Sequence, residues 1–207
     1  MTLKDKILRT ALRILNDEGL AQLKVERLTK ELEISKGNLN YYFPKKEDII
    51  ITLFRDFNDK QQAIRDRINP EVSDIKAYHE TVVELFSLRR KYRGLTFASA
   101  SKSYPRQVMI EIDEQFKGRN KFIESFWSAL YAQGLIKYLP DEEELKMVID
   151  RLYLITNYWI LMYEYHLSGE MGYKEAVRYF ANLYMQELQY YVTEKGNEQL
   201  QEVLNMN

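Results

Sequence analysis

From Thr2 to Thr193 the apolar residues of this chain recur three or four positions apart, and no stretch alternates apolar with polar for long. Residues at those spacings share one face of an α-helix, whereas a half-buried strand needs a period of two. An all-α fold is therefore expected. The first helix runs from Thr2 to Glu18, with Ile7, Leu8, Ala11, Leu12 and Leu15 on one stripe and Gly19 at its end. A long helix covers Glu47 to Ile68; its apolar side carries Ile49, Ile50, Leu53, Phe54, Phe57, Ile64 and Ile68, and Asn69-Pro70 closes it. Beyond it, Gly94, Pro105, Gly134, Pro140, Gly169 and Gly172 punctuate the pattern. Helices are expected near 74–92, 95–103, 106–133, 141–167 and 174–193, the third with or without a break at Gly118. The tail after Lys195 is polar, with Leu200, Val203 and Leu204 able to form a short docked helix. A chain of 207 residues, 45% apolar, can bury one small module and a larger second domain. The boundary is expected at 48/49, giving domains 1–48 and 49–207.

The small module has internal detail. In Val25 to Leu32 the residues Val25, Leu28 and Leu32 form an apolar face while Glu26, Arg27, Lys30 and Glu31 stay wet. Glu33 and Ile34 follow, and Ser35 stands where a hydroxyl accepts from the free N–H groups of the next helix. From Lys36 to Phe43, steps of about 100° put Leu39 and Phe43 on one side and Gly37, Asn38 and Tyr41 on the other. The first pair is core and the second set is displayed. Such a displayed face suits a DNA major groove. Gly37 permits close backbone approach to phosphate, Asn38 has the amide that pairs with adenine, and Lys36, Lys45 and Lys46 neutralise phosphates. Glu47 and Asp48 then open the long helix, where acids favour the positive end of its dipole. Spacing alone does not decide the matter, because short capped helical hairpins also occur in proteins that never touch DNA.

The run Ile34-Ser35-Lys36-Gly37-Asn38-Leu39-Asn40-Tyr41-Tyr42-Phe43-Pro44-Lys45-Lys46-Glu47-Asp48-Ile49 resembles the signature of the tetracycline-repressor-like (TetR) transcriptional regulators. The resemblance implies an N-terminal three-helix helix-turn-helix domain joined by a long helix to a C-terminal helical ligand-binding and dimerisation domain. It implies a homodimer that reads a palindromic double-stranded operator, with the long helix transmitting ligand-induced movement. The DNA-facing residues are then expected to be Thr29, Ser35, Lys36, Gly37, Asn38, Asn40, Tyr41, Tyr42 and Lys46. Thr2 and Lys6 resemble family positions close to the DNA backbone, although a solvated N-terminus explains them equally. Four positions depart from the pattern. The family usually has a small residue where Thr29 stands, Gly where Glu33 stands, Tyr where Asn40 stands, and often Ser, Thr or Asn where Lys45 stands. Glu33 therefore faces a turn that calls for φ > 0. At Asn40 the family's phenol contact does not carry over, leaving a base-reading or a silent residue.

Net charge is −1, but residues 1–50 hold 10 basic against 8 acidic residues and the remainder 20 against 23. The basic excess is small and lies in the module. With no cysteine, disulfides, thiolate catalysis and cysteine-ligated metals are excluded. The N-terminus lacks an apolar signal region, and no run of about 18 apolar residues offers a membrane span. A cytoplasmic protein without membrane contact is expected. Catalysis finds no support: His79 and His166 are the only histidines, neither has a partner at metal-ligand spacing, and Glu142-Glu143-Glu144 reads as a helix N-terminus. No catalytic residue, metal site or cofactor is expected.

The second domain is rich in aromatic residues, and the chain has 16 tyrosines. A buried Tyr needs a partner for its hydroxyl, so a cluster of them suggests a polar-tipped cavity, a dimer face or ordinary bundle packing. The cavity reading points to Tyr78, Phe122, Phe126, Trp127, Tyr131, Asn157, Tyr158 and His166, around a small apolar or aromatic ligand. Met147, Leu154, Leu161 and Tyr165 on one helix offer a wide apolar stripe, as do Val177, Phe180, Ala181, Tyr184, Leu188 and Tyr191 on the next. Of these, Leu154, Leu161 and Tyr165 together with the second set are expected at the dimer interface. The reading is a ligand-responsive repressor. Its rivals are a regulator controlled by a protein or peptide partner and a helical adaptor without DNA binding.

Overall fold

The computed structural model describes residues 1–100 and 105–205. Its helices are α1 (Leu3–Glu18), α2 (Val25–Leu32), α3 (Lys36–Tyr42), α4 (Lys46–Arg65), α5 (Ile75–Lys91), α6 (Arg93–Ala100), α7 (Arg106–Ala132), α8 (Glu142–Met162), α9 (Tyr173–Met185) and α10 (Glu194–Leu204). Among the described residues there is no strand; one antiparallel bridge pairs Ile136 with Val192. The all-helical expectation holds. The end of the helix expected at 95–103 lies outside the described residues, α7 runs unbroken past Gly118, and α4 stops at Arg65, short of Ile68. α8 continues into a π-helical turn, Tyr163–Leu167, and α9 into a 3₁₀ segment, Gln186–Tyr190. The tail helix begins at Glu194, earlier than its apolar residues suggested. Thr193 caps it by accepting from the Gly196 N–H at 3.1 Å, and Leu200 and Val203 are fully buried.

Two compact units divide the chain, 1–60 with 89–114 and 61–88 with 115–207. This division differs from the expected 1–48 and 49–207 because residues distant in sequence pack on α1. Asn16 Nδ2 donates to the Lys91 carbonyl at 2.8 Å, Gly94 N–H donates to Asn16 Oδ1 at 2.8 Å, and Arg93 pairs with Asp17 at 2.6 Å. A Cβ at Gly94 would lie 2.4 Å from the Leu15 carbonyl oxygen, so only glycine admits this approach. In the first unit Ile7, Ala11, Ile14, Leu15, Leu23 and Leu28 are fully buried, and Phe43, Phe54, Phe57 and Tyr92 are buried as well.

The core of the second unit is aromatic: Tyr78, Phe86, Phe126, Trp127 and Trp159 are all buried. Phe86 and Trp159 rings lie 5.6 Å apart, as do Trp159 and Phe180, so α5, α8 and α9 meet through one chain of rings. α8 starts at the capping Asp141, whose carboxylate accepts from the Glu144 N–H at 2.9 Å. The acids of its first turn have the dipole role expected of them.

Candidate functional site

α2 and α3 are joined by a turn whose geometry Glu33 supplies. Its φ of 54° is left-handed, the only such value at a non-glycine among the described residues. The Glu33 N–H donates to the Lys30 carbonyl at 3.4 Å and the Ile34 N–H to the Thr29 carbonyl at 3.1 Å. These two bonds close α2 in the manner that usually employs glycine. Ser35 then caps α3 by accepting from the Asn38 N–H at 3.1 Å. Lys45 stands just before α4, its N–H bonded to Asp48 Oδ2 at 2.9 Å.

Beneath α3, Leu39 and Phe43 are buried; outside it, Lys36, Gly37, Asn38, Asn40, Tyr41 and Tyr42 are exposed. Tyr41 is 82% exposed and stands edge-on to Tyr42 at 5.0 Å. Lys46 is half-buried, and so is Thr29, whose hydroxyl is turned back to the Glu26 carbonyl at 3.0 Å. Two tyrosines therefore stand uncovered beside a lysine and a glycine. Elsewhere on the module Arg27 bridges Glu18 and Glu31, and Arg13 also reaches Glu31. The Arg27 guanidinium holds both carboxyls below their ordinary range and is itself raised by them. This cluster fastens α1 to α2.

The expected cavity residues separate into two groups. Tyr78, Phe122 and Phe126 come together: Tyr78 stacks on Phe126 at 4.0 Å and lies 6.1 Å from Phe122. Trp127 is buried against Tyr191, 4.8 Å away, and Asn157 is half-buried with its amide on the Tyr153 carbonyl at 2.8 Å. Tyr131, Tyr158 and His166 lie on the surface instead. Helical register explains it. Tyr131 sits roughly 90° from the centre of the buried arc of α7, and Tyr158 roughly 140° from that of α8. A cleft of about 430 Å³ opens between the end of α4 and α5, lined among others by Ile64, Ile68, Val72 and Thr81, with Arg67 and Glu84 paired at 2.6 Å. None of the expected cavity residues borders it.

The expected dimer residues also divide. Leu154 and Tyr165 are exposed and Leu161 is half-exposed, whereas Val177, Phe180, Ala181, Tyr184, Leu188 and Tyr191 are buried within the single chain. Those six positions form the inner face of α9 and its extension, so their stripe is consumed by packing on the protomer's own helices. The outer face carries Tyr179 and Leu183, alongside Met147, Leu154, Tyr158 and Met162 of α8.

Several buried polar groups escaped the sequence reading. Gln61 and Arg65 are 2% and 7% exposed. They stand four and eight positions after Phe57, on the apolar stripe of α4, and that misplacement was the available signal. Arg119, half-buried, precedes Phe122, Ile123 and Phe126 on one face of α7. His79 is buried with Nε2 2.8 Å from Asn182 Oδ1, and burial holds its pKa below the usual value. Among the described residues no group of three or more His, Cys, Asp or Glu side chains could hold a metal, and no helix is long and apolar enough to cross a membrane.

Residues 7–53 match the family model described as bacterial regulatory proteins, tetR family. An uncharacterized HTH-type transcriptional regulator, YuxN of Bacillus subtilis (strain 168), is 36% identical over 54 residues, 26% of this chain and 19% of its own length. The chain thus spans only a fifth of that relative. Among solved structures, a TetR-family transcriptional regulator from Marinobacter aquaeolei VT8 superposes with a TM-score of 0.83 at 22% identity, covering 99% of this chain and 98% of the other. The SmeT–triclosan complex superposes with a TM-score of 0.66 at 12% identity over 92% of each chain. At these identities the structural likenesses show the shared fold.

Proposed function

Through residues 7–53 the chain belongs to the TetR family of bacterial regulatory proteins, and on that premise we propose that it is a cytoplasmic, ligand-responsive repressor that grips a palindromic operator as a homodimer. The observation that carries the DNA half is the outer face of α3, where Tyr41 is 82% exposed directly above the buried Leu39 and Phe43. α3 enters the major groove; Lys36, Gly37, Asn38, Asn40, Tyr41 and Tyr42 face the DNA, with Lys46, Thr29 and the Ser35 cap at the edge. Phosphate contacts by the lysines give affinity that falls with salt, and Asn38 and Asn40 supply amides for base edges. The chain is read as a DNA-reading part, 1–48, and a sensing and dimerising part, 49–207.

Dimerisation is assigned to the exposed apolar face of α8 and α9, through Leu154, Tyr158, Leu161, Tyr165, Tyr179 and Leu183. A continuous uncovered stripe of this kind on two neighbouring helices supports an isologous interface. Two copies then present their α3 helices to successive major grooves, about 34 Å apart on B-DNA. A small molecule enters the aromatic interior around Tyr78, Phe122 and Phe126. Because it binds better to a state with a different spacing, it shifts the population and releases the operator. A small-molecule complex of a protein with this fold, SmeT with triclosan, supports such a role for the helical part.

The test is selection from a random duplex library at two salt concentrations, followed by sequencing of the retained DNA. A palindrome whose retention weakens with salt is expected. A folded protein that retains no sequence in preference to others would overturn the reading.

A further inference from the structure

Arg65 ends α4 inside the second unit rather than on its surface. The residue is 7% exposed, its Nε has no hydrogen-bond partner, and one terminal nitrogen reaches only the neutral Gln62 Oε1 at 3.2 Å. The acid nearest in sequence, Asp66, is exposed and accepts from Gln62 Nε2 at 2.6 Å. Arg119 of α7 adds a second cation, close enough for the two guanidinium groups to repel each other, and it lies over the Tyr153 ring at 4.6 Å. Both arginines face the phenol of Tyr184, which is hydrogen-bonded to the Tyr78 hydroxyl at 3.0 Å. Burial raises both phenol pKa values, so both hydroxyls remain protonated, one donating to the other.

An arginine does not shed its charge, and a guanidinium taken out of water requires a counter-charge. Tyr184, on which the Arg65 guanidinium acts, adjoins the aromatic cluster of Tyr78, Phe122 and Phe126, with its ring 6.1 Å from that of Tyr78. On α7, Arg119, Phe122 and Phe126 share one face at i, i+3 and i+7. Cation and rings therefore look the same way.

We infer that the ligand of this protein is an anion with an apolar body, a carboxylate held by Arg65 and Arg119 with its hydrocarbon part against Tyr78, Phe122 and Phe126. The inference rests on the ligand-responsive reading above and names the ligand's chemical class. The planar fork of Arg65 accepts a carboxylate through two parallel N–H bonds. A neutral analogue of the same shape leaves the buried Arg65 guanidinium without that carboxylate.

The experiment is thermal melting of the full-length protein with sodium decanoate, sodium 2-naphthoate and uncharged decanoamide, on the wild type, Arg65→Met and Arg65→Lys. At least one carboxylate is expected to raise the wild-type Tm, by about 5–10 °C at a concentration of about 100 Kd, and the amide is not. Arg65→Met is expected to melt at or above the unliganded wild type, since it removes a buried cation whose acidic neighbour, Asp66, lies in solvent, and to lose the carboxylate response. Arg65→Lys retains part of it. The inference is overturned if Arg65→Met melts several degrees below the wild type, if decanoamide matches decanoate, if Arg65→Met still responds, or if neither carboxylate shifts the wild type. These outcomes leave the regulator reading intact. That reading stands or falls separately, on whether the unliganded wild type retains a palindromic duplex.

Discussion

The outer face of α3 in the first compact unit and the interior of the second treat their aromatic side chains in opposite ways. In the first, Tyr41 and Tyr42 stand uncovered while Phe43, Phe54, Phe57 and Tyr92 are buried with the aliphatic core, and Arg13, Arg27, Glu18 and Glu31 pair at the surface. In the second, Tyr78, Phe86, Phe126, Trp127 and Trp159 are inside, and with them Arg65, His79 and the bonded hydroxyls of Tyr78 and Tyr184. A module that reads an external polymer keeps its recognition groups outside a simple core. On the function proposed above, a unit that holds a small molecule places them within, where every unmatched polar group costs stability until it is satisfied.

The comparison is sharpest for aromatic truncation. Phe126→Ala should lower stability by about 3–5 kcal/mol in denaturant titrations, through lost burial and the cavity left behind. Tyr41→Ala should leave stability within about 0.5 kcal/mol while weakening operator binding by about 1–3 kcal/mol. Equal stability losses in the two variants would erase the contrast.

Close backbone packing gives a smaller effect. Gly94→Ala should destabilise by about 1–3 kcal/mol, because its methyl group meets the Leu15 carbonyl. Thermal melting of the variant checks this, and an unchanged Tm would mean that the packing of Gly94 on α1 yields freely.

Glu33→Gly should act in the other direction. Relief of its left-handed backbone is expected to add about 1 kcal/mol, read as a higher denaturant midpoint with unchanged slope. A lower midpoint would show that the Glu33 side chain contributes more than its backbone costs.

The smallest effect concerns pH. His79 is held neutral by burial, so its folded pKa lies below 6.5. Its contribution is complete above 6.5, the unfolded value, and is lost as pH falls from there through the folded value, because the unfolded chain takes up the proton first. His79→Gln should flatten stability against pH in that window. An unchanged slope would assign the dependence to other groups.

Much of the first unit was legible in advance because its determinants are local. Ser35, Leu39, Phe43 and the turn at Glu33 act within a few residues, and helical period alone separates buried from displayed positions. The φ at Glu33 was expected from a missing glycine and is 54°. What escaped was the packing of Gly94 on Leu15, which joins positions remote in sequence. In the second unit the same period identified the apolar stripes of α8 and α9 but not which stripe a single chain covers. Val177, Phe180 and Tyr184 are buried while Leu154, Tyr158 and Tyr179 are exposed.

The sequence by itself determined an all-helical chain, the capped α2–turn–α3 module and its outward face. Each follows from interactions that reach no further than one or two helical turns. Only the tertiary structure decided that Tyr131, Tyr158 and His166 lie outside, and that Arg65 and Arg119 face Tyr184 from different helices. Burial is a property of what the rest of the chain brings to a face, and charges separated by tens of residues meet only when helices pack.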